Sequence, residues 1–424
     1  MTRQSVLAAA LLGLSALVRP LPASAQGASA RQAQPPSEPS PAPVTAGWRD
    51  GFIVQSENGD FRLQLALLVQ ADGRFAFDDE RETVNDTFLM RRLRPSFRGQ
   101  LTRRFEFALN PDFAGGTLVV QDAYLDTVFA PAVRVRLGKF KSPFGMERLQ
   151  SASNLMFYDR ALPSTIAPNR DIGVLVLGDI AGGRLGYMGG VTNGVADGAS
   201  ADADSSDGKD VAGRLVVRPF RATAESPLRG LSAGIALSAG RQAGSNALPT
   251  LRTASLQQPY FFYAGATADG TRTRYSPQVS YYYKSFGGIA EYVRSELPVR
   301  RGGLRDEIAH DAWQIAGSIL FTGEGATDGT LRPRANFDFG QGHWGAVQIG
   351  ARYHTLKVDE RAFALGLTGD GASRKAESWT VGLNWYLTQY FKYVINFERT
   401  VFDDDADGAR PAENALVFRG QLNF

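Results

Sequence analysis

The chain has 424 residues, no cysteine, and 46 Lys and Arg against 43 Asp and Glu, a net charge of +3. Without thiols an exported form has no disulfide staples, and a charge excess this small and dispersed excludes a nucleic-acid binder. The 46 glycines and 11% aromatic residues suit a β-rich chain with many turns.

The chain opens with Arg3, an apolar run over residues 6–18 and the small-residue ending Ala23-Ser24-Ala25. That order predicts a secretory signal peptide over residues 1–25, cleaved after Ala25. The apolar run is too short for a membrane anchor, and no later stretch approaches the about eighteen apolar residues of a membrane helix. Residues 26–47 are rich in Pro, Ser, Ala and Gln. They cannot bury enough apolar surface to fold and read as a disordered linker. Residues 48–424 keep a uniform composition and read as one domain, large for a single soluble core.

From residue 62 the pattern has period two. Leu63, Leu65, Leu67 and Val69 share one face, with Arg62, Gln64 and Gln70 on the other. Leu89, Leu93, Phe97 and Leu101 alternate with Arg92, Arg94, Arg98 and Gln100; Phe105, Phe107 and Leu109 alternate with Glu106, Ala108 and Asn110. Similar runs recur at 120–129, 133–141, 172–178, 184–191, 211–220, 231–239, 272–284, 287–295, 312–322, 345–356, 379–387, 391–402 and 415–424. The total is about sixteen, and an even number of strands of roughly 10 residues is what an outer-membrane β-barrel requires. Neighbouring strands then satisfy every backbone group, and closure removes the edges that lipid does not tolerate. The last strand ends on the aromatic Phe424. Such a residue serves both as an interface aromatic and as a signal to the barrel-assembly machinery.

Trp379, Trp385, Tyr390, Phe391, Tyr393 and Phe397 cluster at strand ends, as girdles against outer-membrane lipid would. A soluble β-sandwich does not need them, and no blade-length repeat suggests a propeller. The expected fold is therefore all-β. It is a transmembrane antiparallel β-barrel of about 16 strands in the outer membrane of a Gram-negative bacterium. A barrel that wide holds water, so function rests on what narrows and charges its lumen.

Three basic motifs are candidates. In Arg91-Arg92-Leu93-Arg94, with Arg98 beyond, parity points Arg92, Arg94 and Arg98 into the lumen. Successive inward positions lie about 6.6–6.8 Å apart, and each guanidinium can hold a phosphate or carboxylate bidentately. Facing mid-bilayer lipid, each would cost about 2–4 kcal/mol. Arg91 falls out of parity, which puts it at the interface or at a bulge. The alternative role for these residues is pairing with Glu106, Asp112, Asp122 or Asp126 on adjacent strands. The second motif holds Arg134, Arg136, Lys139 and Lys141, followed by Pro143-Phe144-Gly145 and a polar stretch to Arg170. Residues 151–162 lack strand alternation and are expected to form a turn or two of helix in a functional loop. If the loop folds inward it makes a constriction, with Arg148 and Arg160 on the pore; otherwise it lies over the mouth. In the third motif, Arg272 and Arg274 share parity with Ser276, Gln278, Ser280 and Lys284 on a distant strand.

The Asp- and Gly-rich stretches 197–210 and 402–407 lack the ligand ladder of a calcium loop and read as solvated extracellular loops. His310, His343 and His354 have no metal-ligand spacing, and His354 reads as pore wall. No cofactor or metal is expected. A barrel enzyme would need a nucleophile beside a histidine, and no such pattern is present.

Several segments, in this order and spacing, resemble the phosphate-selective porin family related to porins O and P. They are Phe88-Leu89-Met90-Arg91-Arg92, Leu137-Gly138-Lys139-Phe140-Lys141-Ser142-Pro143-Phe144-Gly145-Met146-Glu147-Arg148 and Leu320-Phe321-Thr322-Gly323-Glu324. Gly345-Ala346 with Ala351-Arg352-Tyr353, Val381-Gly382-Leu383-Asn384-Trp385-Tyr386 and the closing Arg419-Gly420-Gln421-Leu422-Asn423-Phe424 complete the set. The resemblance implies a 16-stranded homotrimeric porin with a constriction loop and an arginine-lined path for small anions, phosphate or polyphosphate. By motif position it implies that Arg91 and Arg92 form a basic pair of that path. It implies Arg62 as a basic residue on the first strand, and Arg148 and Arg160 on the loop. One departure stands out: family members selective for phosphate carry an arginine-dense segment after about the ninth strand. Here residues 241–258 hold only Arg241 and Arg252. A general, weakly selective porin is the alternative within the same class; a plugged structural barrel would show no conductance.

Overall fold

The structure is a computed structural model and describes residues 43–77, 84–203, 207–403 and 410–424. The signal peptide and nearly all of the proposed linker lie outside the described residues. Sixteen strands close into one antiparallel barrel, each paired with its neighbours in sequence. They are β3 (Phe61–Phe77), β4 (Thr87–Leu101), β5 (Phe105–Asp112), β6 (Val119–Ala130), β7 (Val133–Lys141), β8 (Arg170–Ile180), β9 (Leu185–Thr192) and β10 (Asp210–Val217). The remainder are β11 (Ser232–Gly244), β14 (Thr267–Tyr283), β15 (Phe286–Arg301), β16 (Leu304–Leu320), β17 (Ala346–Lys357), β18 (Lys375–Tyr386), β19 (Phe391–Asp403) and β20 (Glu413–Asn423). β20 closes the ring on β3, from Asn414 opposite Phe77 to Asn423 opposite Leu68. Closure leaves none of these sixteen strands with a bare edge over its full length, the condition for standing in hydrocarbon.

Alternation survives in three dimensions. Leu109, Leu125, Leu137, Val176, Leu215 and Leu237 are exposed on the outer face, where lipid supplies the burial that water would deny them. Two aromatic belts bound this band. On one, Tyr353 lies 5.0 Å from Trp313 and 4.4 Å from Trp379. On the other, Trp385 lies 6.5 Å from Trp344 and 6.3 Å from Tyr393. Trp379 and Trp385 are six positions apart on β18, roughly 20 Å along the strand, so the two belts flank the apolar band from either side.

The two ends differ. Two-residue turns at 131–132 and 284–285 lie at the end where the chain terminates, together with the longer connections 218–231 and 321–345; the loops 142–169, 245–266 and 358–374 lie at the other, beside the short turn 302–303. In outer-membrane barrels the short-turn end is periplasmic. At that end a hairpin of β1 (Val44–Trp48) and β2 (Phe52–Ser56) pairs with β3 through Phe52 opposite Leu65 and Gln55 opposite Arg62. It covers the stretch of β3 that β20 is too short to reach. Residues 44–47, placed by composition in the linker, are thus strand: the edge of β3 offers them hydrogen bonds that the linker by itself lacks. Trp48 packs 5.1 Å from the terminal Phe424 ring.

The loop between β7 and β8 turns into the bore. Its helical turns are α1 (Met146–Leu149) and a 3₁₀ turn at Leu162–Ile166. The stretch 151–162 is otherwise irregular, contrary to the expectation of helix within it. Its carbonyls are taken by the wall instead: Gln70 donates to Ala152 O, Gln421 to Ser153 O and Asn384 to Met156 O. Before the loop, Gly138 lets β7 lie close against β6, since at its φ of 129° a Cβ would sit 2.3 Å from Ala123 O. At the loop end Phe144, Leu162 and Ile166 share an apolar cluster with Leu251, Phe261 and Val358. The hairpin β12 (Thr250–Arg252) and β13 (Pro259–Phe262) contributes Leu251 and Phe261.

Candidate functional site

The inward loop divides the wall. Against β14–β20, β3 and β4 it is clamped by charge. Asp159 sits at the centre: Arg91 lies 2.7 Å and Arg92 3.7 Å from its carboxylate, and Arg352 donates to its carbonyl at 2.9 Å. Burial pushes the Asp159 carboxyl up, but Arg91, Arg92 and Arg419 outweigh it and hold the group well below the usual carboxylate range. Arg419 is itself fixed by Asp72 at 2.6 Å and donates to Tyr158 O. Arg352 also pairs with Glu398 at 3.1 Å and Glu147 at 3.5 Å.

Arg91 reaches Asp159 because β4 carries a bulge here: Gln70 faces Arg92, but Ala71 faces Met90. One extra residue reverses the parity. The out-of-parity Arg91 therefore sits at a bulge, and both members of the basic pair point at the loop.

On the opposite side the bore stays open as a cavity of about 750 Å³. Its wall carries Arg94 and Arg98 from β4, Arg136 and Lys141 from β7, Arg170 from β8 and Arg214 from β10. Asp50 and Asp122 are the carboxylates on the same wall. Several of these cations are paired with neighbouring strands. Arg94 lies 2.6 Å from Asp112, Arg136 2.8 Å from Asp126, and Arg170 3.0 Å from Asp122. Arg134, just off the cavity, bonds Glu106 and Asp126 at 2.8 and 2.9 Å. Arg136 also lies 3.7 Å over the Tyr124 ring. Arg98 makes no ion pair among the described residues. Arg214 is held by the amide oxygen of Gln278 at 2.9 Å, and Lys141 donates to Leu149 O and Gln150 O.

The remaining candidates are placed as follows. Arg62 shares a face with Gln64, which lines the cavity, and stands opposite Gln55 of the hairpin. Arg160 donates to Glu147 O at 2.9 Å and Gln150 O at 2.7 Å, and Arg148 donates to Ser164 O. These two bind their own loop rather than the open wall. Burial, with Arg160 and Arg170 nearby, pushes the Arg148 guanidinium down from its ordinary value.

Arg272 and Arg274 point inward but are buried. Arg274 bonds Asp197 at 2.7 Å and Asp210 at 3.1 Å, and Arg272 donates to Val195 O at 3.4 Å. This corrects the reading of residues 197–210 as a solvated loop, since Asp197 and Asp210 are buried as partners of those arginines. Residues 404–409 of the second acidic stretch lie outside the described residues. His354 is also buried, beneath the loop, where its Nδ1 accepts from Leu162 N at 3.4 Å. It is therefore not open pore wall.

Sequence reasoning missed Arg170 and Arg214 as wall residues and named Lys141 only as part of the second basic motif. Arg214 was findable, being the only charged residue inside the strand Val211–Val217 and opposite in parity to Val211, Leu215 and Val217. Arg170 was not, because it follows a long stretch without alternation.

A closed barrel with outward apolar belts and a charged, loop-narrowed bore defines an outer-membrane channel of the porin type. A family model for phosphate-selective porins O and P matches residues 63–424, and the chain belongs to that family. Three solved structures share the fold. An anion-selective porin from Comamonas acidovorans superposes with a TM-score of 0.56 at 12% identity, over 86% of this chain and 100% of that one. The trimer form of OmpT, an outer membrane protein of Vibrio cholerae, gives 0.53 at 12% identity, over 86% and 99%. Salmonella typhi OmpF in complex with daunomycin gives 0.53 at 9% identity, over 90% and 100%. No curated protein matches the sequence.

Proposed function

We propose that the chain is a passive channel for small anions, phosphate or polyphosphate, and that it is not an enzyme. The observation that carries this is the cavity wall, where six cations face two carboxylates. Inward positions on one strand stand about 6.6–6.8 Å apart. An anion can exchange part of its hydration shell for guanidinium donors at one rung while the next already attracts it. Several moderate sites let the ion enter and still leave. The anion selectivity of the Comamonas acidovorans porin, a protein of the same fold, is in keeping with this reading.

A second reading, a general and weakly selective porin, has its own support. Arg94, Arg136 and Arg170 are each neutralised by an adjacent carboxylate. In addition, the loop 245–266 holds one arginine, Arg252, bound to its own Gln257 carbonyl. Reversal potentials in planar bilayers separate a channel from a non-conducting barrel and anion preference from none. Phosphate titrated against chloride current separates the two readings. Block at low phosphate supports an anion path with phosphate preference; equal chloride and potassium permeability rejects it.

The further parts of the proposal follow from the same architecture. Residues 1–25 direct export, and the strand ending in Phe424 is the element read by the barrel-assembly machinery. The assembly is a homotrimer, as the OmpT trimer form suggests.

A further inference from the structure

A second basic cavity lies at the periplasmic rim, away from the transport wall. It measures about 580 Å³ and is formed where the turns after β8, β10 and β14 meet. Arg221, Arg229 and Lys284 line it together with Tyr282, Tyr283 and a single acid, Glu225. None of the three cations makes an ion pair among the described residues. Arg218 and Asp179 on the adjoining strands satisfy each other at 3.6 Å, and Asp328 lies near Tyr282 without lining the cavity. Three cations thus share one concave site with one carboxylate.

The site stands at the level of a membrane interface. Tyr281 and Tyr283 point outward from the last turn of β14 and stack 6.3 Å apart. The Tyr281 hydroxyl donates to Pro227 O at 2.9 Å, which ties the turn carrying Arg221 and Arg229 to that aromatic face. The Lys284 ammonium lies 5.3 Å from the Tyr283 ring centre. Tyrosines with cations beside them are what a headgroup layer selects.

The backbone gives a second, independent sign. Lys284 is the first residue of a two-residue turn and holds φ at 49°. Turns of this kind favour Asn or Gly, because a side chain with a Cβ is disfavoured there. A lysine kept in that conformation places a charge in the cavity at the expense of the turn.

We infer that this cavity binds the phosphate headgroup of an anionic phospholipid of the periplasmic leaflet. Arg221 and Arg229 would take the phosphate oxygens as fork donors, Lys284 would add a point charge, and Tyr281 and Tyr283 would pack along the glycerol and upper acyl chains.

The test uses the full-length protein purified in detergent, with lipid retained per chain counted by native mass spectrometry. The probes are phosphatidylglycerol, phosphatidylcholine and inorganic phosphate. Wild type is expected to retain phosphatidylglycerol over phosphatidylcholine. The triple variant Arg221→Gln, Arg229→Gln, Lys284→Gln is expected to lose that preference by roughly tenfold or more, with single-channel conductance unchanged. The single variant Lys284→Asn relieves the turn, so it should fold at least as well as wild type while losing part of the preference. It decides the matter if the triple variant does not fold. Retention by the variants equal to wild type would overturn the assignment. So would displacement of the lipid by inorganic phosphate as readily as by phosphatidylglycerol, since that marks a site for free anions.

Discussion

Two sides of the same bore carry inward arginines, and they use them differently. On β4–β10 the cations Arg94, Arg98, Arg136, Lys141, Arg170 and Arg214 face an open cavity. On β14–β20 Arg274, Arg352 and Arg419 are almost fully buried, each locked to an aspartate or glutamate beneath a loop. Parity is the same on both sides. What differs is whether a loop covers the wall: a covered arginine becomes a tether, while on the open wall Arg98 and Arg214 face the cavity without a carboxylate partner among the described residues and remain available to an ion.

The most disruptive way to break this contrast is to remove the centre of the clamp. Asp159→Asn removes the ion-pair partner of the buried Arg92 and of the part-buried Arg91, and unpairing a buried charge costs about 3–5 kcal/mol. Loop 142–169 should loosen, and single-channel current should become larger and noisier while the barrel persists in folded-gel mobility. A current identical to wild type would show that the loop is held by something else.

A smaller effect sharpens the contrast. Arg98→Ala with Arg214→Ala should shift the reversal potential toward cations, because these wall residues have no carboxylate partner among the described residues. Losing them should change stability little, within about 0.5 kcal/mol each. Arg274→Ala should do the reverse, lowering thermal stability by about 3–5 kcal/mol for the stranded Asp197 and Asp210 with less change in selectivity. If both variants move selectivity equally, covered and open walls are not distinct.

The smallest effect concerns pH. The Asp159 carboxyl is depressed in the folded state, so its stabilisation is complete above the ordinary aspartate value of about 3.9. It is lost only as pH falls through the still lower folded value. The contribution of Asp159 to conductance and thermal stability should therefore be flat from about pH 7 to about pH 5, so that Asp159→Asn and wild type differ by a constant amount there and converge only in stronger acid. A transition near neutral pH would assign control to another group.

Much of the barrel was legible because a strand's two faces are a local property. Leu63 to Val69 read as one face from the sequence, and each of the sixteen expected runs falls on one strand of the barrel. The misfit of Arg91 was legible as an interface or a bulge, and the structure puts it at a bulge; the use of the basic pair was not, since Arg91 and Arg92 hold Asp159 of the loop. The covered arginines were not legible. Arg272 and Arg274 look the same in sequence as Arg94 and Arg98, and His354 looks like wall. Only the arrival of Asp197, or of the loop after β7, tells them apart. The same reason hides the hairpin at residues 44–56, whose strand character comes from a bare edge of β3.

The sequence by itself determined the alternation, the strand count, the aromatic belts and the sign of the inward charge, because each depends on residues a few positions apart. The tertiary structure alone decided which arginines see water. That choice rests on contacts such as Gln70 with Gln421 and Asp159 with Arg352, formed between residues far apart in the chain. No local pattern encodes such contacts; they exist only once the ring has closed and the loop has a wall to lean on.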